Sequence, residues 1–131
     1  MSLLSRLFTR KAPSAAEVYN SGLQYAMSIA AGIAAPIAQK LAGRYPKLSP
    51  RELSDYAGVS KKAAEDAHRF TYDLVMGLDA RKATIKKSDL KQQLSAFMRG
   101  KYPWVSDRSL LQLFNTMQYF LWHDGRDALI R

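Results

Sequence analysis

Few residues of this chain have the type and spacing that chemistry requires. Glu65-Asp66-Ala67-His68 reproduces the Glu-x-x-His step with which di-iron bundles hold metal on one helix face. Such a site needs two such steps and two further glutamates, and only Glu17 and Glu52 remain. His123 beside Asp124 could move a proton, but no nucleophile or third group stands in a recognisable relation to the pair. At a helix C-terminus an imidazolium is favoured by the dipole, a structural role that suits His123 as well. The absence of cysteine excludes disulfides, thiolate metal sites and cysteine nucleophiles, and accords with a reducing, cytoplasmic setting. No phosphate-binding glycine loop or spaced carboxylate pair occurs. The residues therefore predict a protein that is not an enzyme and carries no cofactor and no metal.

The legible chemistry is electrostatic. Lys and Arg number 20 against 11 Asp and Glu, a formal charge of +9 that favours an anionic partner, either an acidic protein or nucleic acid, with anionic lipid a third class. The surplus is concentrated between 81 and 101, where Arg81, Lys82, Lys86, Lys87, Lys91, Arg99 and Lys101 face Asp89 alone. Clustered cations of this kind are what phosphate neutralisation requires. Arg81, Lys82, Lys86, Lys87, Lys91 and Lys101 are the candidate anion-binding residues, with Trp104 as an aromatic that could stack on bases. Tyr102 repeats an earlier tyrosine and reads as structural.

A second candidate is Leu53-Ser54-Asp55-Tyr56-Ala57-Gly58-Val59-Ser60 followed by Lys61-Lys62-Ala63-Ala64-Glu65-Asp66-Ala67. This string resembles the helix-turn-helix segment of bacterial repressors, in which a small residue and Gly make the turn and Ser opens the recognition helix. The resemblance covers about 15 residues. It implies that Ser60, Lys61, Lys62 and Glu65 face DNA while Ala64 and Ala67 pack inward. The alternative is one continuous core helix, and the surrounding acidic residues favour it.

What positions these residues is a joint that occurs twice. Gly43-Arg44-Tyr45-Pro46-Lys47-Leu48-Ser49-Pro50-Arg51-Glu52-Leu53 returns 57 positions later as Gly100-Lys101-Tyr102-Pro103-Trp104-Val105-Ser106-Asp107-Arg108-Ser109-Leu110. Gly ends a helix, Pro cannot continue it, and Ser caps the next, so each copy reads as a helix–helix joint. Arg51 and Arg108 follow the caps at a dipole end unfavourable to cations, which predicts specific partners within the joints. At the same offset Ile33, Ile37 and Leu41 fall on Leu90, Leu94 and Met98, an apolar face shared by the entering helices.

Ser14 and Glu17 form a capping-box pattern, and helical spacing runs from there to about Ala42 with a kink at Pro36. Its small stripe, Gly22, Ala26, Ala30, Ala34, Ala38 and Ala42, would let a neighbouring helix approach closely in a central position. Ser88 should cap a helix from Asp89 to about Arg99. Ser106 should cap one to about His123, apolar around most of its circumference and therefore buried. Residues 1–13 make a short amphipathic segment, and residues 1–11 could attach the protein to a membrane surface.

The expected fold is all-α: one domain over 14–131, a helical bundle of four main helices in two related αα-hairpins, about 14–78 and 88–124, with a short N-terminal helical segment. The expected role is a small binding or adaptor protein with a basic surface. A helix-turn-helix DNA-binding protein and a membrane-surface protein are the alternatives, and the apolar last helix makes a homo-oligomer possible.

Overall fold

Ser14 opens the first helix as its spacing predicts, its hydroxyl accepting from the Glu17 N–H at 3.1 Å. The computed structural model describes residues 12–30 and 36–131, and the N-terminal segment and residues 31–35 lie outside the described residues. Among the described residues five α-helices follow one another: α1 (Ala15–Ala30), α2 (Ile37–Arg44), α3 (Pro50–Ala80), α4 (Lys87–Lys101) and α5 (Asp107–His123), with a 3-10 turn at Asp127–Leu129. The all-α bundle stands.

The expected long first helix is instead two. Pro36 precedes α2 with φ −54° and ψ 140°, an extended conformation, and starts a new helix by accepting from the Lys40 N–H at 3.2 Å. Lacking an N–H, proline cannot serve the preceding turn, so the chain restarts rather than kinks. The central position passes to α3, whose 31 residues span roughly 46 Å.

Ser49 and Glu52 exchange bonds of 3.1 and 3.0 Å in a full capping box, with Pro50 in the first turn. α3 then continues through Gly58 without a break, so the turn implied by the helix-turn-helix resemblance is absent. An interior Gly costs about 1 kcal/mol. The buried stripe Ser60, Ala63, Ala67, Thr71, Val75 and Leu78 keeps helical spacing and offsets that cost by packing.

The two joints are conformational copies. Tyr45 (φ −126°, ψ 71°) and Tyr102 (φ −129°, ψ 78°) end α2 and α4, each N–H bonding four residues back at 2.7 Å. Leu48 and Val105 then donate to the two tyrosine carbonyls at 3.2 and 3.0 Å, and Ser49 and Ser106 cap the following helices. Adjacent residues of α1 hold both joints. Ser21 shares a 2.7 Å hydrogen bond with the Tyr45 hydroxyl. Asn20 donates to the Trp104 carbonyl at 2.9 Å and accepts from the Ser106 N–H at 3.0 Å and the Ser109 hydroxyl at 2.7 Å. Arg51 and Arg108 are exposed and find no partner among the described residues, contrary to expectation, because both side chains lie on the solvent side of their caps.

The small stripe of α1 meets α3. A Cβ on Gly22 would stand 2.8 Å from the Ser60 Cβ and collide with its hydroxyl. Two apolar clusters flank α3: Val18, Ala26, Ile37 and Leu41 on one side, and a larger one joining Leu23 and Met27 to the buried faces of α4 and α5 on the other.

Ser88 does not cap α4. The helix starts two residues earlier than expected, at Lys87, with Lys86 in the cap position and no side-chain cap bond, because the C-terminal tail holds the backbone there. Only one face of α5 is buried; Leu111, Tyr119 and Trp122 are exposed. Among the described residues no helix is long and apolar enough to cross a membrane.

Candidate functional site

The concentrated charge lies where α3 ends. Lys82 donates to the Asp79 carbonyl at 3.1 Å and Ala83 to the Leu78 carbonyl at 2.9 Å, which together make a Schellman ending. The residue at its left-handed position is normally Gly, yet here Lys82 takes it with φ 52°. α5 ends in the same motif with Gly125 at that place, φ 74°, and bonds from Gly125 and Arg126 to the Trp122 and Leu121 carbonyls. The bundle thus solves one geometric problem twice, once with Gly and once with Lys.

The chain after Gly125 folds back onto the α3–α4 connector. Ile85 donates to Leu129 at 2.9 Å, Arg131 to Ile85 at 2.8 Å and Lys87 to Arg131 at 2.8 Å, pairing Ile85 with Ile130 in an isolated parallel bridge. Arg126 reaches Asp79 on α3 at 3.5 Å. Buried Ile85 anchors the connector in the core. Neither the tail's docking nor its cations carried a motif in the sequence; the short apolar run Ala128-Leu129-Ile130 was the only signal.

The connector is therefore held by ladder bonds while its cations remain outside. Arg81, Lys82, Lys86 and Lys87 are exposed and have no side-chain partner among the described residues, and Lys91 lies one turn along α4 in the same condition. The tail adds exposed Arg131 beside them. Among the described residues three exposed carboxylates, Asp79, Asp89 and Asp127, share this end of the molecule, Asp79 being paired with Arg126. Arg81 and Lys82 follow the C-terminus of α3, where the dipole favours cations, whereas Lys86 and Lys87 stand at the start of α4, where it does not. An anion there would be attracted by the lysines and by the helix end alike.

Two of the expected residues are not part of this surface. Lys101 ends α4 roughly 20 Å from the connector and pairs with Asp66 at 2.8 Å. Trp104 is half-buried, stacked on Tyr19 with ring centroids 4.9 Å apart, so its face is already covered. Both belong to the second joint. The Lys101 ammonium, and after it the Tyr102 hydroxyl, holds the Asp66 carboxyl below its usual range. Burial, then the bond to Asp66, pushes the Tyr102 hydroxyl up. A similar pair ties α3 to the end of α5: Tyr72 donates to Asp124 and is pushed up to about 12, by burial first and then by that bond.

The residues of the helix-turn-helix resemblance disperse around α3. Ser60 is fully buried and donates to the Tyr19 carbonyl at 3.2 Å, so it has no access to a groove. Lys61 and Glu65 face each other across one turn at 4.0 Å, and Lys62 is exposed. Lys61 and Glu65 also border a cavity of about 700 Å³ between α1, α2, α3 and α5.

Comparisons with known protein families, with curated proteins and with solved structures find no match for this chain.

Proposed function

We propose that the protein is a non-catalytic binding or adaptor protein that grips an anionic partner, an acidic protein surface or a nucleic-acid backbone, through the connector end of its bundle. The observation that carries this reading is Lys82. A non-glycine residue in the left-handed region costs about 1 kcal/mol, and α5 shows the cheaper solution at Gly125. A cation kept at that cost, among four exposed and unpaired neighbours, is most simply explained by what its charge does. The ladder to the tail supports the reading by fixing the connector backbone, so that little ordering entropy is lost on binding. Base reading through α3 has less behind it, since Ser60 is buried.

Amide chemical-shift mapping with a short polyphosphate chain tests the location. Perturbations centred on residues 81–91 and 131 and fading with added salt are expected. Shifts centred on Lys61 and Lys62, or spread evenly over every exposed cation, would overturn the assignment.

A further inference from the structure

We propose that the cavity between α1, α2, α3 and α5 binds a single-chain aliphatic carboxylate. The inference concerns a different site from the connector end and stands or falls separately. The cavity volume of about 700 Å³ lies inside the range of about 300–1,000 Å³ that small-molecule sites occupy. Met27, Ile37, Met117 and Phe120 supply its apolar walls.

Gly58, unlike Gly77 of the same helix, stands in the lining of this cavity, at its exposed side. It stands inside a 31-residue helix, where Gly is the most costly residue after Pro, and its φ is not in the left-handed region. A Cβ there would meet nothing among the described residues within 4 Å, so neither packing nor backbone conformation calls for Gly. It lines the cavity, and any larger side chain at that position would occupy space a ligand could use.

The polar groups select the ligand. Among the described residues Thr116 is the one hydroxyl in the lining, and it is already engaged, donating to the Gln112 carbonyl at 2.7 Å and lying 3.6 Å from the Met27 sulfur. A sugar or nucleotide would find its hydroxyls unpaired inside. The charged lining residues Lys61, Glu65, His68 and Arg69 all come from α3. Lys61 and Glu65 pair with one another, and His68 is stacked on Tyr72 at 4.4 Å and edge-on to Phe120 at 5.7 Å. Arg69 is exposed and has no partner among the described residues. An apolar chain inside and one carboxylate on the Arg69 guanidinium, which can grip both oxygens, satisfies every group present.

Calorimetric titration of the full chain with decanoate and with 1-decanol tests this. Saturable binding of one decanoate per chain is expected. Gly58→Leu should keep the helical circular dichroism and weaken both ligands at least about tenfold, because the leucine fills the site. Arg69→Gln should weaken decanoate about tenfold and leave decanol unchanged. Because Arg69 is on the surface, this variant remains decisive if the leucine variant fails to fold. No saturable decanoate binding, undiminished binding in folded Gly58→Leu, or an Arg69→Gln variant that does not separate the two ligands would overturn the proposal.

Discussion

At the scale of single residues, Asp66 joins two elements of the fold. It accepts from the buried Tyr102 hydroxyl and pairs with Lys101, tying the second joint to the middle of α3. Asp66→Ala should cost about 1–3 kcal/mol in urea unfolding, chiefly because the tyrosine hydroxyl is left without a partner in the core. The folded carboxyl titrates below its ordinary 3.8. Its contribution is therefore complete above that value and is lost as pH falls through the lowered folded value. An Asp66→Asn variant should accordingly lose less stability than the parent between neutral and acid pH, as paired unfolding curves would show. Lys82 is the opposite case, a residue that weakens the fold. Lys82→Gly should raise stability by about 1 kcal/mol while reducing affinity for polyanions, and thermal unfolding with a polyphosphate titration measures both. A variant that is more stable and binds undiminished would remove the functional reason for lysine there.

At the scale of elements, the decisive contact is α1 on α3 at Gly22 and Ser60. Gly22→Ala should destabilise by about 1–3 kcal/mol, since the new methyl meets the Ser60 side chain with no room to turn. Gly22→Ala combined with Ser60→Gly should recover part of that loss, and a double-mutant cycle by chemical unfolding reports the coupling. The small-residue stripe announced this close approach in the sequence, and the joints were legible to the level of their capping serines, because Gly, Tyr, Pro and Ser act locally. The identity of the central helix was not legible. Alanine-rich α1 and mixed α3 have similar helical periodicity, and only the extended conformation of Pro36 separates α1 from α2. Nor could spacing distinguish a turn at Gly58 from a helix running through it, since the outcome rests on burial of the stripe from Ser60 to Leu78.

At the scale of the whole molecule, composition located the charge but could not say which cations are free. Arg99 and Lys101 belong to the basic segment in sequence, yet they pair with Asp107 and Asp66, acids supplied by other helices. Arg131 lies more than forty positions from the connector and is brought to it by backbone bonds that carry no sequence pattern. The densest group of free cations among the described residues, Arg81, Lys82, Lys86, Lys87, Lys91 and Arg131, is therefore gathered at one end of the bundle, which is the central claim. Anisotropy titration of a labelled random duplex, used as a polyanion probe at about 50 and 200 mM salt, tests it with two variants of equal net charge. One reverses Arg81, Lys82, Lys86 and Lys87 to Glu, and the other reverses Arg51, Lys61, Lys62 and Arg108 to Glu. The parent should bind at low salt and weaken by about a hundredfold across that range if four phosphates are neutralised. The connector reversal should abolish binding while the second reversal leaves most of it. Equal loss in both variants, or full binding after the connector reversal, would contradict the account.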